Sequence, residues 1–475
     1  MEVAGSRWQR TRYTANKGAC NGRSAGREVS VAGRLESGVG SGLLGLSGYH
    51  WLVIAAGWAG WGFDVFDALL FNFVSPNCIP VLLHLPHDSP EARAATVFWT
   101  GALTSILLLG WAAGGLLFGW LADRLGRKRS LFVTITVYAV GTALCALASD
   151  IWQLMLFRVV ASLGIGGEWA IGATLIAESV PENRRVEAGV IMYSSSPVGI
   201  ALASLLNYQI AGVWFADQPE TSWRYVFLAG LAPVLLAFLV RAFLHESDHW
   251  QQQVTTSPRD LFAPGMRMTT LSGFIPAVAA LLTWWACNAF LPLLGGTLAN
   301  EHAASVRLHT PAASLLAEAW KALASNLFNV GGLVGALAAI PLARVMGRRP
   351  MFVGYFAFSA LTLAATFGLD LEPQARLAML LPVGAGVYGV FAAFAFYLPE
   401  LFPARLRATG AGFCYNIGRI FAAAGPFIVG ILTSAAGGGS AVIIHTLLWV
   451  ALIPCAAAVA THFFVLETRG RTLPT

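Results

Sequence analysis

The stretch Gly119-Trp-Leu-Ala-Asp123-Arg-Leu-Gly126-Arg127-Lys128 ends one long apolar run and begins the next. Its last three residues return as Gly347-Arg348-Arg349, 221 positions later. Glu178, Pro181, Arg185 and Tyr193 return as Glu400, Pro403, Arg407 and Tyr415 at a shift of 222, and Glu246-Ser247 returns as Glu467-Thr468 at 221. One such match is chance. Several at a nearly constant offset describe a chain built from two parallel halves, each running through the same order of elements. The halves are not copies, because the position that matches Asp123 holds Arg344.

What fills each half follows from composition. Of the 475 residues, 56% are hydrophobic and 11% charged, with a mean hydropathy of +0.65. Water-soluble domains carry about a quarter charged residues, so this chain cannot clothe itself for water and its solvent is lipid. A spanning helix needs about 20 apolar residues. Scanning at that length predicts twelve spans, near 50–75, 97–121, 130–149, 151–177, 187–212, 223–244, 270–295, 321–343, 351–369, 377–399, 408–434 and 441–465. Backbone groups in lipid must be satisfied within their own segment, and the alternating pattern of a transmembrane barrel is absent, so the spans are expected to be helices. The predicted fold is an all-α membrane protein of twelve transmembrane helices in two pseudo-symmetric six-helix bundles, residues 49–244 and 269–466.

The net charge of +6 does not point to nucleic acid, because the basic residues sit in short links between apolar runs. Arg124, Arg127, Lys128, Arg129, Arg184, Arg185, Arg259, Arg267, Arg344, Arg348, Arg349, Arg405 and Arg407 fall in even-numbered links, while the odd-numbered links hold few such residues. That bias places both termini in the cytoplasm. Residues 1–48, rich in Gly, Ser and Arg without a long apolar core, read as a disordered basic cytoplasmic tail rather than a signal peptide, with an over-extended start site as an equally plain explanation. Residues 245–268 read as the cytoplasmic linker and 467–475 as a closing cytoplasmic tail. The six cysteines form no CxxC or Cys/His cluster, so neither a metal site nor a disulfide framework is indicated. Walker A, HExxH and GxSxG sequences are absent as well, so no enzyme, nucleotide motor or cofactor is expected.

The charges inside the spans carry the chemistry. Asp64 and Asp67 lie near the middle of the first span, three residues apart and so close to one helix face. A charge at mid-bilayer costs about 2.5–3.5 kcal/mol on insertion scales, and burial pushes a carboxyl toward the neutral form. Both are therefore candidate proton carriers, as is Glu168 among the glycines of the fourth span; a permanent ion pair or a structural hydrogen bond is the alternative for each. Arg158 and Arg419 are intramembrane cations whose guanidinium can fork onto a carboxylate, either a substrate's or an internal partner's. Tyr193, Asn288, Tyr415 and Asn416 are further candidate substrate contacts, with Asn207, Trp284, Trp285, Asn326 and Asn329 as other polar or aromatic groups that could line a pathway. At the basic ends of the spans Gly119, Asp123, Gly126, Arg127, Lys128, Glu178, Arg185, Glu400 and Arg407 form a candidate gate, since alternating charges there can latch one state of a two-state protein; control of topology by the arginines is the plain alternative.

The quoted stretch resembles the signature loop of the major facilitator superfamily. Arg158 followed by Gly164 and Gly166 resembles that family's fourth-helix motif, and Pro399-Glu400, Arg407 and Glu467-Thr-Arg-Gly-Arg471 resemble its metabolite and sugar-type branches. The likeness runs over about 50–471. Asp64-Val-Phe-Asp67 and Gly164-Ile-Gly-Gly-Glu168-Trp169 are similar to the proton symporters of sialate, lactate and aromatic acids. The resemblance implies a monomeric plasma (inner) membrane protein that carries a small organic anion together with protons by alternating access, with the rim charges as its inner gate. Its partners would be the anion, protons and the lipid bilayer. A sugar-type or other metabolite symporter, a drug:proton antiporter and a non-transporting receptor on the same fold remain alternatives.

Overall fold

The computed structural model describes residues 43–86, 89–215, 217–232, 235, 243, 257–424 and 440–474. Residues 1–42 of the expected tail, 245–256 of the expected linker and Thr475 lie outside them. The chain divides into a segment ending at Gly48 and a body from Tyr49 onward; the first carries a short 3-10 turn, Leu43–Gly45.

The helices are α1 Gly48–Leu82, α2 Pro90–Leu125, α3 Arg127–Ala146, α4 Ile151–Ser179, α5 Glu182–Ala211, α6 Pro219–Ala229, α7 Arg267–Ser305, α8 Thr310–Val345, α9 Arg348–Gly368, α10 Pro373–Leu401, α11 Arg407–Ala422 and α12 Ile443–Phe464. Among the described residues, ten contain a stretch long and apolar enough to cross a membrane. The other two are α6 and α11, whose expected spans run on into residues outside the described set. This is the twelve-helix, two-bundle architecture expected from the repeat.

Hydropathy underestimates several helices. α7 has 39 residues, about 58 Å at 1.5 Å per residue, against about 30 Å of hydrocarbon. Helix continues past the lipid-soluble part, and α7 and α8 pack together along this extension, where His302 stacks on Trp320 at 5.4 Å. Other helices are interrupted. α5 breaks at Ser194, and α10 loosens into turn geometry over Tyr388–Val390. Both breaks fall beside the central cavity, a place where non-helical backbone is tolerated in membranes.

Two glycine turns explain why the repeated motif reads as it does. Gly126 joins α2 to α3 at φ 97°, and Gly347 joins α8 to α9 at φ 90°; a side chain is strained at such angles. The two halves meet along α2 with α11 and along α5 with α8 and α10. The first contact is very close, since a Cβ on Gly412 would lie 2.5 Å from the Gly115 carbonyl oxygen. Val330, Val334 and Leu337, spaced along one face of α8, are about half exposed, as suits a lipid-facing stripe.

Candidate functional site

Between the halves lies a cavity of about 40 Å³. A single water needs about 10–15 Å³ by the same measure, so in this conformer the chamber has room for a few waters. Its walls are aromatic: Trp61 from α1, Trp111 from α2, Tyr193 from α5, Trp284 and Trp285 from α7, Tyr388 and Phe391 from α10, and Tyr415 from α11. Trp61 lies at the middle of the first-half wall, with ring centroids 6.1 Å from Trp111, 5.8 Å from Tyr193 and 6.4 Å from Tyr415. Trp169 of α4 stacks on Tyr415 at 3.7 Å from behind. Two hydroxyls on its wall bridge the halves, with Ser196 and Tyr388 2.6 Å apart.

One cation lines this chamber among the described residues, Arg419. Its Cζ sits 4.2 Å over the Trp111 ring and 4.7 Å from the Tyr415 ring centroid, the arrangement in which a guanidinium is drawn to aromatic faces. Nη1 donates to the Asn416 side-chain oxygen and, at 3.4 Å, to the Tyr415 carbonyl. Nε has no acceptor among the described residues. Asp64 of α1 is near enough for its charge to act on Arg419. Of the candidate substrate contacts, Tyr193, Tyr415 and Arg419 line the chamber and Asn416 holds Arg419 in place. Asn288 does not line it; its amide donates to the Trp284 carbonyl of its own helix at 3.4 Å.

Asp67 and Arg158 form a second cluster inside the first half. Arg158 Nη1 approaches Asp67 Oδ2 at 3.5 Å, and its two terminal nitrogens donate to the Asp67 and Ala68 carbonyls at 3.4 and 3.2 Å. Thr142 of α3 donates to Asp67 Oδ1 at 2.8 Å. Both charged side chains are buried. Arg158 is thus placed against an internal carboxylate rather than in the chamber wall. Glu168, also buried, borders a separate void of about 10 Å³ shared with Val53 and Gly57 of α1 and Leu131 of α3.

At the arginine-rich rim the expected gate residues converge. Arg127 forks onto Glu178 with Nε–Oε2 3.2 Å and Nη2–Oε1 3.0 Å, and meets Asp123 at 2.8 Å. Arg407 reaches the same Glu178 oxygen from the other half at 2.6 Å, and Arg127 donates across to the Ala404 carbonyl at 2.8 Å. The second half repeats the fork, Arg348 holding Glu400 at 3.1 and 2.7 Å. Arg185, the counterpart of Arg407, donates to the Ala177 carbonyl at 3.1 Å and feels the charge of Glu400. Gly119 passes close to the start of α11, where a Cβ would come 2.8 Å from the Ala408 carbonyl oxygen. Lys128 is half-buried in the first turn of α3.

Two further cross-half contacts are counterparts with opposite charge. Asp123, on α2, accepts the backbone N–H of Ala408 at 3.3 Å and of Thr409 at 2.8 Å, at the N-terminus of α11. One repeat on, Arg344 of α8 meets Glu187, the counterpart of Thr409, and donates to the Asn183 carbonyl at 3.0 Å. The lost acid is answered by a gained one. Together these contacts bridge the halves at the arginine-rich end.

The residues missed in sequence are the aromatic ones. Trp61, Trp111, Trp169, Tyr388 and Phe391 sit in apolar runs and carry no charge to mark them. The one available signal was Trp61, three residues before Asp64 and so near its helix face.

The comparisons agree with this fold. The profile of the family described as "Sugar (and other) transporter" matches residues 78–260. A protein of Haemophilus influenzae named for metabolite transport is 28% identical over 433 residues, 90% of this chain and 99% of its own length. The gentisate transporter of Corynebacterium glutamicum is 25% identical over 402 residues, 82% of this chain and 83% of its own. Among solved structures, the proton:xylose symporter XylE of E. coli shares the fold, with a TM-score of 0.69 at 19% identity over 90% of this chain and 98% of that one. The chain thus shares its fold with a solved major facilitator superfamily symporter and is similar in sequence, over most of its length, to proteins named as transporters.

Proposed function

We propose that the chain is a monomeric plasma-membrane symporter that carries a small carboxylate together with protons, with both termini cytoplasmic. The observation that carries the reading is Arg419, the chamber's lining cation among the described residues, set in aromatic walls between the halves. A buried guanidinium whose Nε–H lacks an acceptor among the described residues suits a carboxylate, and flat aromatic walls suit a flat acid; the gentisate named for one relative is such an acid. A neutral sugar would leave that buried charge unanswered by the ligand, which counts against the sugar-type alternative.

Coupling follows from Asp64. When Asp64 is ionised it competes with a ligand carboxylate for Arg419; when it takes a proton, Arg419 is released for the anion. Proton and anion then favour each other's binding, and the favour is mutual. Asp67, held between Arg158 and Thr142, and Glu168 beside its own void supply the remaining proton positions in the first half. Binding would loosen the rim latch of Asp123, Arg127, Glu178, Arg185, Arg407 and Glu400, opening the chamber to the cytoplasm.

The test is substrate-driven proton uptake in proteoliposomes with a panel of labelled aromatic and aliphatic acids. One or more acids should acidify the lumen, and Asp67→Asn should abolish accumulation against a gradient while leaving exchange measurable. Failure of every acid would refute carboxylate transport, and full accumulation by Asp67→Asn would remove Asp67 from the proton path.

A further inference from the structure

The chamber holds more hydrogen-bond donors than acceptors. Trp61, Trp111 and Trp284 line it, and each buries its indole N–H without an acceptor among the described residues, as Arg419 does with Nε. Several acceptors at or beside its walls are engaged. Ser196 and Tyr388 bond to each other, the Tyr193 and Tyr415 hydroxyls interact, and the Asn416 oxygen takes Arg419. A buried donor left unmatched is a penalty that an incoming acceptor removes.

These donors fall at two ends. Arg419 lies over Trp111 and against Tyr415. Trp284 instead touches Tyr388 at 5.7 Å and Phe391 at 6.3 Å. Phe391 separates the two ends, its centroid 6.1 Å from that of Tyr415. A single carboxylate has two oxygens, enough for the Arg419 end, and leaves Trp284 unanswered.

We infer that the chamber selects flat acids carrying a second acceptor, a ring nitrogen or an oxygen, across one ring from the carboxylate, and that the Trp284 N–H is the specificity-determining donor. The inference rests on Arg419 as the carboxylate anchor. Benzoate and the pyridine-3- and pyridine-4-carboxylates form a suitable set, because exchanging one ring CH for N adds an acceptor and hardly changes shape.

Binding of each acid to the purified full chain, measured by calorimetry, gives the test. At least one pyridine acid should bind about tenfold tighter than benzoate, as for one hydrogen bond gained by a buried donor. Trp284→Phe, which keeps the ring and removes the N–H, should bring that ratio close to one. Equal binding of all three acids by the native chain overturns the inference and leaves the anchor standing. So does a Trp284→Phe chain that weakens all three alike and keeps the ratio, since that is a packing role. Absence of binding by benzoate and both pyridine acids refutes the carboxylate anchor itself.

Discussion

Arg344→Glu restores an acid where the first half has Asp123, and it should break the rim rather than repair it. The native guanidinium meets Glu187, with side-chain exposures of 45% and 8%. A pair this exposed contributes about 1 kcal/mol at most. Substitution removes that attraction and sets two carboxylates face to face. At about 4 Å and an effective dielectric near 20 their repulsion is capped at about 4 kcal/mol, and a half-exposed side chain swings away to relieve most of it. A net shift of about 1–2 kcal/mol remains, roughly 5- to 30-fold in the ratio of latched to open rim. Glu187→Arg alone should act in the same direction, because it sets two arginines together. The double exchange should return the ratio to near its native value, since it rebuilds the pair in reverse. Spin labels at Leu125 and Met346, both exposed at the rim ends of α2 and α8, report the separation of the halves as a distance distribution. Each single variant should gain long distances, and the double variant should lose them. Singles that leave the distribution unchanged, or a double variant as open as the sum of its parts, would refute the latch.

Other consequences follow at separate points in the structure. Arg419→Lys should weaken anion binding by about tenfold or more, because an ammonium cannot fork onto a carboxylate or lie flat on Trp111; calorimetric affinity checks this, and an unchanged value would make Arg419 structural. Gly126→Ala should lower stability by about 1–2 kcal/mol, the expense of a Cβ at φ 97°, read as a fall in detergent melting temperature that Lys128→Ala does not share. Glu467 should confer a pH dependence. Burial alone would raise its pKa, but the backbone N–H groups of Arg348, Arg469 and Arg349, with the Arg348 charge, hold it below 4.5. A depressed folded pKa means its stabilisation is present above the unfolded value, about 4.3, and is lost as pH falls through the lower folded one. The native melting temperature should therefore fall across that acidic window, and Glu467→Gln should flatten the fall.

The parts of the molecule legible in sequence are those where a local rule has no substitute. A turn that needs φ near 90° needs glycine, so Gly126 and Gly347 mark the joins of α2 to α3 and α8 to α9 in both halves. The long apolar runs could be nothing but spans, and helix continues beyond the apolar part where it outruns lipid, as in α7 and α8. Charge inside a span is conspicuous, so Asp64, Asp67, Arg158 and Arg419 stood out. Their company was not legible. Three residues along a helix leave two side chains about 60° apart in projection, close enough to share a face on an isolated helix. In α1, surrounded on its buried sides, that angle is enough to send Asp67 to Thr142 and Arg158 while Asp64 acts on Arg419.

The chamber walls were hidden for a different reason. Hydropathy counts Trp61, Trp111 and Phe391 as lipid-compatible filling, and only the convergence of α1, α2, α5, α7, α10 and α11 turns them into a site. The rim shows how much a repeat can say once contacts are known. Arg344 alone looks like a lost acid. The shift of 222 that pairs Arg185 with Arg407 also pairs Glu187 with Thr409. Thr409 is the residue on which Asp123 rests, so its counterpart must face Arg344. Read as pairs, Asp123 with Thr409 and Arg344 with Glu187, the halves diverged together: the contact survived because both of its sides changed.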